Sequence, residues 1–175
     1  MKRITKPSKW EAIIISKLEY ADAAYVGFVR GIESINRGLH DRAGFAGNSW
    51  EINVRGAVGE LVAAKCLQVP WASKGIYMEP DTICGVEVRT TARLNWKLKI
   101  YSEAKDSTPY MLVAGGPLNW IVQGWIYARD GKRKMFWDTP QGRDGAYFVD
   151  LEFLRPISEL RELIKENGHD YFTRS

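Results

Sequence analysis

The segment from Gly85 to Thr91 reads GVEVRTT, with Pro80 and Asp81 just upstream and Glu60 earlier in the chain. Side chains two apart on a strand share a face, so Glu87, Arg89 and Thr91 face one way while Val86 and Val88 face the other. If Asp81 opens the hairpin leading into this strand, its carboxylate lies beside that of Glu87. Two converging carboxylates can hold a hard divalent cation, Mg²⁺ or Mn²⁺, and Glu60 can add a third oxygen ligand. Such a metal activates a water and neutralises charge on a phosphoryl group, a route to phosphodiester hydrolysis. The competing reading is a solvated strand face with an ordinary ion pair between Glu87 and Arg89.

The elements that must position these residues follow from periodicity. Trp10, Ile13, Ile14, Leu18, Ala21, Tyr25, Phe28, Val29, Ile32 and Ile35 recur at three- and four-residue steps, which predicts a helix with this stripe in the core. Ser8 as N-cap with Glu11 three positions on completes its capping box, and the helix fades near Gly38. A second helix is expected over 49–67, carrying Glu60 among Leu61, Val62, Ala63 and Ala64. Gly56 and Gly59 interrupt it at a cost of roughly 0.8–1 kcal/mol each, so close approach of another element is expected there.

Beyond Pro70 the pattern changes to period two. Strands are expected at Ile76 to Met78, Gly85 to Thr91, Leu98 to Tyr101, Tyr110 to Ala114 and Trp120 to Ala128, forming a core sheet over 75–128. Short connections predict an antiparallel meander for much of it. Gly115-Gly116-Pro117 reads as a hairpin turn and AYFVDLEFL as a short edge strand. Ile157, Leu160, Leu163 and Ile164 mark a C-terminal helix over 156–166. The order predicts one α+β domain over 1–175, a central mixed, largely antiparallel sheet flanked by helices.

Composition bounds the function classes. At 175 residues with 45% hydrophobic and 26% charged residues, the chain suits one folded domain. No apolar run reaches the roughly 20 residues of a membrane span, so no membrane partner and a cytoplasmic location are expected. Cys66 and Cys84, with His40 and His169, are too few and too widely spaced for a zinc knuckle, and Cys66 reads as core. A net charge of +4 and seven tryptophans are compatible with a nucleic-acid partner.

The order of a helix with Glu60, then Pro80-Asp81, then Glu87-Val88-Arg89 resembles the PD-(D/E)XK, restriction-endonuclease-like superfamily. The stretches GAVGELVAAKCL, GVEVRTT, YMLVAGGP and IVQGWIYARDGKR are also similar to small phage and prophage proteins, over about Trp50 to Arg155. The resemblance implies a nuclease-type core, DNA as partner, and Mg²⁺ at Asp81 and Glu87 with Glu60 nearby; for a phage protein the location is the host cytoplasm. Arg89 stands where that pattern has lysine. Arginine is never deprotonated in proteins, but its fork of donors can stabilise a phosphate. Lys97 or Lys99 could supply a displaced ammonium, and Gln123 could line the same cleft.

Two further readings stay open. One is a catalytically silent nuclease-like fold that binds nucleic acid or a host protein. The other is a self-associating domain whose aromatic residues form a homo-oligomer interface.

Overall fold

The sequence offers two capping boxes eight residues apart, Ser8 to Glu11 and Ser16 to Glu19, and the second one starts the helix. In the computed structural model, which describes residues 10–37, 49–71, 82–140 and 144–168, strand β1 spans Glu11–Ile14 and helix α1 spans Lys17–Asn36. The Ser16 hydroxyl accepts from the Glu19 N–H at 3.1 Å, and the Ser16 N–H donates to Glu19 Oε2 at 2.6 Å. Thus Glu11 to Ile14, expected within the first turns of the helix, form a strand instead. Ser8, His40, Asp81 and the strand expected at 76–78 lie outside the described residues.

Helix α2 occupies Ser49–Leu67, as its periodicity predicts. The chain then forms β2 (Thr82–Ile83), β3 (Val86–Thr91), β4 (Leu98–Ile100), β5 (Pro109–Gly115) and β6 (Asn119–Tyr127). A single turn, α3 (Ala128–Gly131), leads to β7 (Trp137–Asp138), β8 (Ala146–Val149) and α4 (Ile157–Asn167).

The strands form two sheets. The larger runs β1-β6-β5-β3-β2 and the smaller β4-β8-β7. Among the described residues every pairing is antiparallel except β3 with β5, which is parallel. The expected meander fails at β4. Leu98 and Ile100 are completely buried in a second core under the smaller sheet, so β4 leaves the main sheet and pairs with β8. Parallel β3 and β5 require a crossover, and that excursion supplies it.

Alternation on β5 divides the interior. Met111 and Val113 point to the helical side, with Val58, Val62, Val86, Trp125 and Leu160. Tyr110 and Leu112 point to the smaller sheet, with Leu98, Ile126 and Val149. The result is an α+β domain with layers in the order α1, then α2 and α4, then the five-stranded sheet, then the small sheet. Among the described residues, no helix is long and apolar enough to cross a membrane.

The packing of α1 reverses the expected orientation. Its buried residues are Ala23, Gly27, Arg30 and Gly31, whereas Leu18, Tyr25, Phe28, Ile32 and Ile35 are exposed. Small residues at four-residue steps let the two helix backbones approach: a Cβ on Gly27 would sit 2.5 Å from Val54 Cα. A larger side chain there would push α2 away, so the glycine stripe faces in and the large apolar stripe faces out.

Strand β6 carries a bulge. Leu112 pairs with Gly124 and Val113 with Val122, leaving Gln123 as the extra residue. Gly124 adopts φ +132°, and a Cβ there would lie 2.6 Å from Arg155 O. Past the bulge, Trp125 N–H donates to Arg155 O at 3.1 Å and Arg155 N–H to Trp125 O at 2.7 Å.

Candidate functional site

Strand β3 presents its two faces to different layers. Val86 and Val88 belong to the helical core, and a Cβ on Gly59 of α2 would lie 1.8 Å from Thr90 Cγ2. The even-numbered residues therefore face α2. Glu87 and Arg89 face the other way, toward Tyr110, which is the register partner of Glu87 on β5. The expected sharing of one face by Glu87 and Arg89 holds.

On that face Arg89 Nη2 lies 3.2 Å from Glu87 Oε1, with the two side chains 30% and 21% exposed. The guanidinium sits 5.1 Å from the Tyr101 ring centre and 5.6 Å from that of Tyr110, within cation–π range. Its Nε is buried and has no hydrogen-bond partner among the described residues. Burial, then the Glu87 charge, push the Tyr110 hydroxyl up from its ordinary value, while Arg89 pulls it back. Glu87, Arg89 and Tyr110 thus form one electrostatic unit. Lys99 extends it, with Nζ 4.3 Å from the Tyr101 ring centre and 6.0 Å from that of Phe148.

The β2–β3 hairpin places Thr82 opposite Glu87. Asp81 directly precedes Thr82 in sequence but is itself outside the described residues, so its expected convergence with Glu87 is a proposal.

Glu60 is elsewhere. Its carboxylate is paired with Arg30 of α1, Nη1 to Oε1 at 2.7 Å and Nη2 to Oε2 at 2.9 Å. It belongs to the helical side of the sheet, and the structure does not bring it together with Glu87. Sequence reading caught the oddity of a carboxylate in an apolar helix but missed its partner. Arg30 follows Gly27 and precedes Gly31, and a stripe of small residues around a lone arginine was the available signal.

The other candidates are also engaged. Lys97 Nζ lies 2.8 Å from Asp150 Oδ1. Gln123 is fully buried; its amide donates to the carbonyl of Leu94, and its Oε1 has no partner among the described residues. Lys132 donates to Ala104 O at 2.7 Å and pairs with Asp106 at 2.5 Å. Gly115 to Leu118 form the expected hairpin turn between β5 and β6. A largely apolar cavity of about 740 Å³ lies at the far end of β3, lined in part by Ile13, Tyr20, Val54, Leu94 and Trp120.

A divalent cation requires several oxygen donors directed at one point. Among the described residues no three acidic, histidine or cysteine side chains form such a group. Glu60 is held by Arg30, and Glu87 contacts Arg89. The described side chains therefore do not by themselves assemble a metal site. The part-exposed guanidinium of Arg89 and the neighbouring Lys99 are better matched to an anion, such as a phosphate.

No protein-family model matches the chain, and neither a curated protein nor a solved structure matches it.

Proposed function

We propose that this is a restriction-endonuclease-like domain that engages the DNA backbone at the Glu87 and Arg89 face of β3. The observation that carries this reading is the state of Arg89. It is fixed by Glu87 and two tyrosines and is partly open to solvent. A pre-positioned guanidinium grips a phosphate without first losing side-chain freedom. Lys99, on the adjoining aromatic surface, adds a second positive charge for the same strand.

In the hydrolytic form of this reading, Glu87 and Asp81 are the acids nearest the phosphate and Arg89 stabilises the charge that develops on it. Mg²⁺ or Mn²⁺ belongs to the reading through the superfamily resemblance alone. In the second reading the fold binds nucleic acid without cutting it, favoured by the direct contact between Arg89 and Glu87. A host-protein partner is the alternative if DNA does not bind.

The test compares wild type with Glu87→Ala, Asp81→Ala and Arg89→Ala on supercoiled, linear and single-stranded DNA, with Mg²⁺ or Mn²⁺. Cleavage lost in the two acid variants supports hydrolysis. Salt-sensitive binding that weakens in Arg89→Ala, without cleavage, supports the binding form. Absence of both binding and cleavage at low salt rejects a DNA role.

A further inference from the structure

We propose that two copies of this chain associate in parallel through the outer face of α1, independently of any DNA role. The large apolar side chains of this helix are turned outward: Leu18 is 71% exposed, Tyr25 69% and Ile35 59%. Their spacing is the deciding observation. Leu18, Ala21, Tyr25, Phe28, Ile32 and Ile35 follow one another at alternating steps of three and four. That is an uninterrupted a/d seam with the 3.5-residue period that lets two helices wind around each other.

An isolated surface helix does not need such a period. A helix buried against its own domain carries a broader apolar stripe, and α1 meets that need with a different face, the Ala23, Gly27 and Gly31 side against α2. One helix therefore has two packing faces: the small-residue face packs on α2, while among the described residues the outer seam lends α2 the stacking of Phe28 on Trp50 and otherwise stays turned to solvent. The outer seam matches a copy of itself, because a residue on a two-fold axis along the helix meets its own counterpart.

Charge selects the orientation. With Leu18 at an a position, Lys17 occupies g and Asp22 the following e. In a parallel pair, g of one helix faces the next e of its partner, so Lys17 meets Asp22 twice. Both residues are exposed and neither forms an ion pair among the described residues. An antiparallel pair would set Asp22 near the uncharged Asn36 and lose both contacts.

The area is sufficient for a reversible dimer. The exposed parts of the five large seam side chains amount to roughly 500 Å² per copy, about 1,000 Å² in total, near the lower limit for a specific interface. The expected state is thus a concentration-dependent dimer.

Sedimentation velocity over a wide concentration range should show a reversible monomer–dimer equilibrium. Tyr25→Lys combined with Ile32→Lys should give monomer throughout with an unchanged circular-dichroism spectrum, since both side chains are exposed in the single chain. Oxidation reads the register: in a parallel pair Ile32→Cys meets its own counterpart within the roughly 4.4–6.8 Å that a disulfide spans and cross-links efficiently. Glu33→Cys, one position off the seam, should cross-link no more than wild type. A wild-type monomer at every concentration overturns the proposal, whatever else covers the seam. So does a dimer that survives the double lysine substitution, or one in which Ile32→Cys fails to cross-link.

Discussion

Arg30 and Glu60 meet fork to fork across the contact between α1 and α2, through two hydrogen bonds of 2.7 and 2.9 Å, with both side chains about nine-tenths buried. Removing one partner leaves a charge stranded in a low-dielectric interior. Glu60→Ala or Arg30→Ala should therefore each cost about 3–5 kcal/mol in urea unfolding, whereas Arg30→Met with Glu60→Leu should recover most of that loss. The pair also gives a separate check on Glu60 as a catalytic acid. A structural Glu60 loses stability and activity together, while a catalytic one loses activity in a fully stable protein.

The two glycines inside α2 should respond to alanine in opposite directions. Nothing lies within 4 Å of a Cβ on Gly56, so Gly56→Ala should stabilise by about 0.5–1 kcal/mol through helix propensity alone. A Cβ on Gly59 would overlap Thr90 Cγ2 at 1.8 Å, so Gly59→Ala should destabilise by about 1–3 kcal/mol despite the same gain. Thr90→Ser removes the clashing methyl and should restore much of the loss. Thermal melts of the two single variants and the double variant provide the comparison.

These elements also mark what the sequence made legible. Period two located β3, β5 and β6, and helical spacing located α2 and α4, although β5 and β6 are buried on both faces. The same rule failed for α1, where Ala23, Gly27 and Gly31 are too small to register as a buried stripe. Ile13 and Ile14 lie in step with Leu18 by coincidence, which hid β1 behind the first of two identical capping signatures. Pairing direction was also hidden, since local alternation does not say that β4 leaves the sheet. At the site, the common face of Glu87 and Arg89 was readable from spacing. The Arg30 partner of Glu60 was not, because it depends on which way a distant helix rolls.

The cap of α1 should make part of the stability acid-sensitive. The Lys65 ammonium 2.7 Å away and the Ser16 N–H together hold the Glu19 carboxyl down at about 2. A depressed carboxyl contributes stability that is present above the ordinary carboxylate range and is lost as pH falls toward about 2. Wild type should therefore lose stability between about pH 4.5 and pH 2 more steeply than Glu19→Gln. Ser16→Ala should cost about 1 kcal/mol at neutral pH.

The two cysteines should differ in reactivity. Burial, and then the nearby Glu11 charge, push the Cys66 thiol up to about 12, while Arg161 opposes them. Cys84 is only partly buried, at the turn of the β2–β3 hairpin. At mildly alkaline pH, iodoacetamide followed by mass spectrometry should find Cys84 modified and Cys66 intact. Cys66 should react only after unfolding, when it regains an ordinary thiol pKa.

The bulge at Gln123 divides one edge of β6 between two distant parts of the chain, β1 up to Val122 and Arg155 at Trp125. On a ribosome, β1, β5 and β6 all emerge before Arg155 does. During that interval the far half of β6 presents unpaired N–H and C=O groups, a template for pairing with a neighbouring nascent chain. The sheet is therefore closed by translation order, and its most aggregation-exposed moment falls just before the C-terminal helix is released.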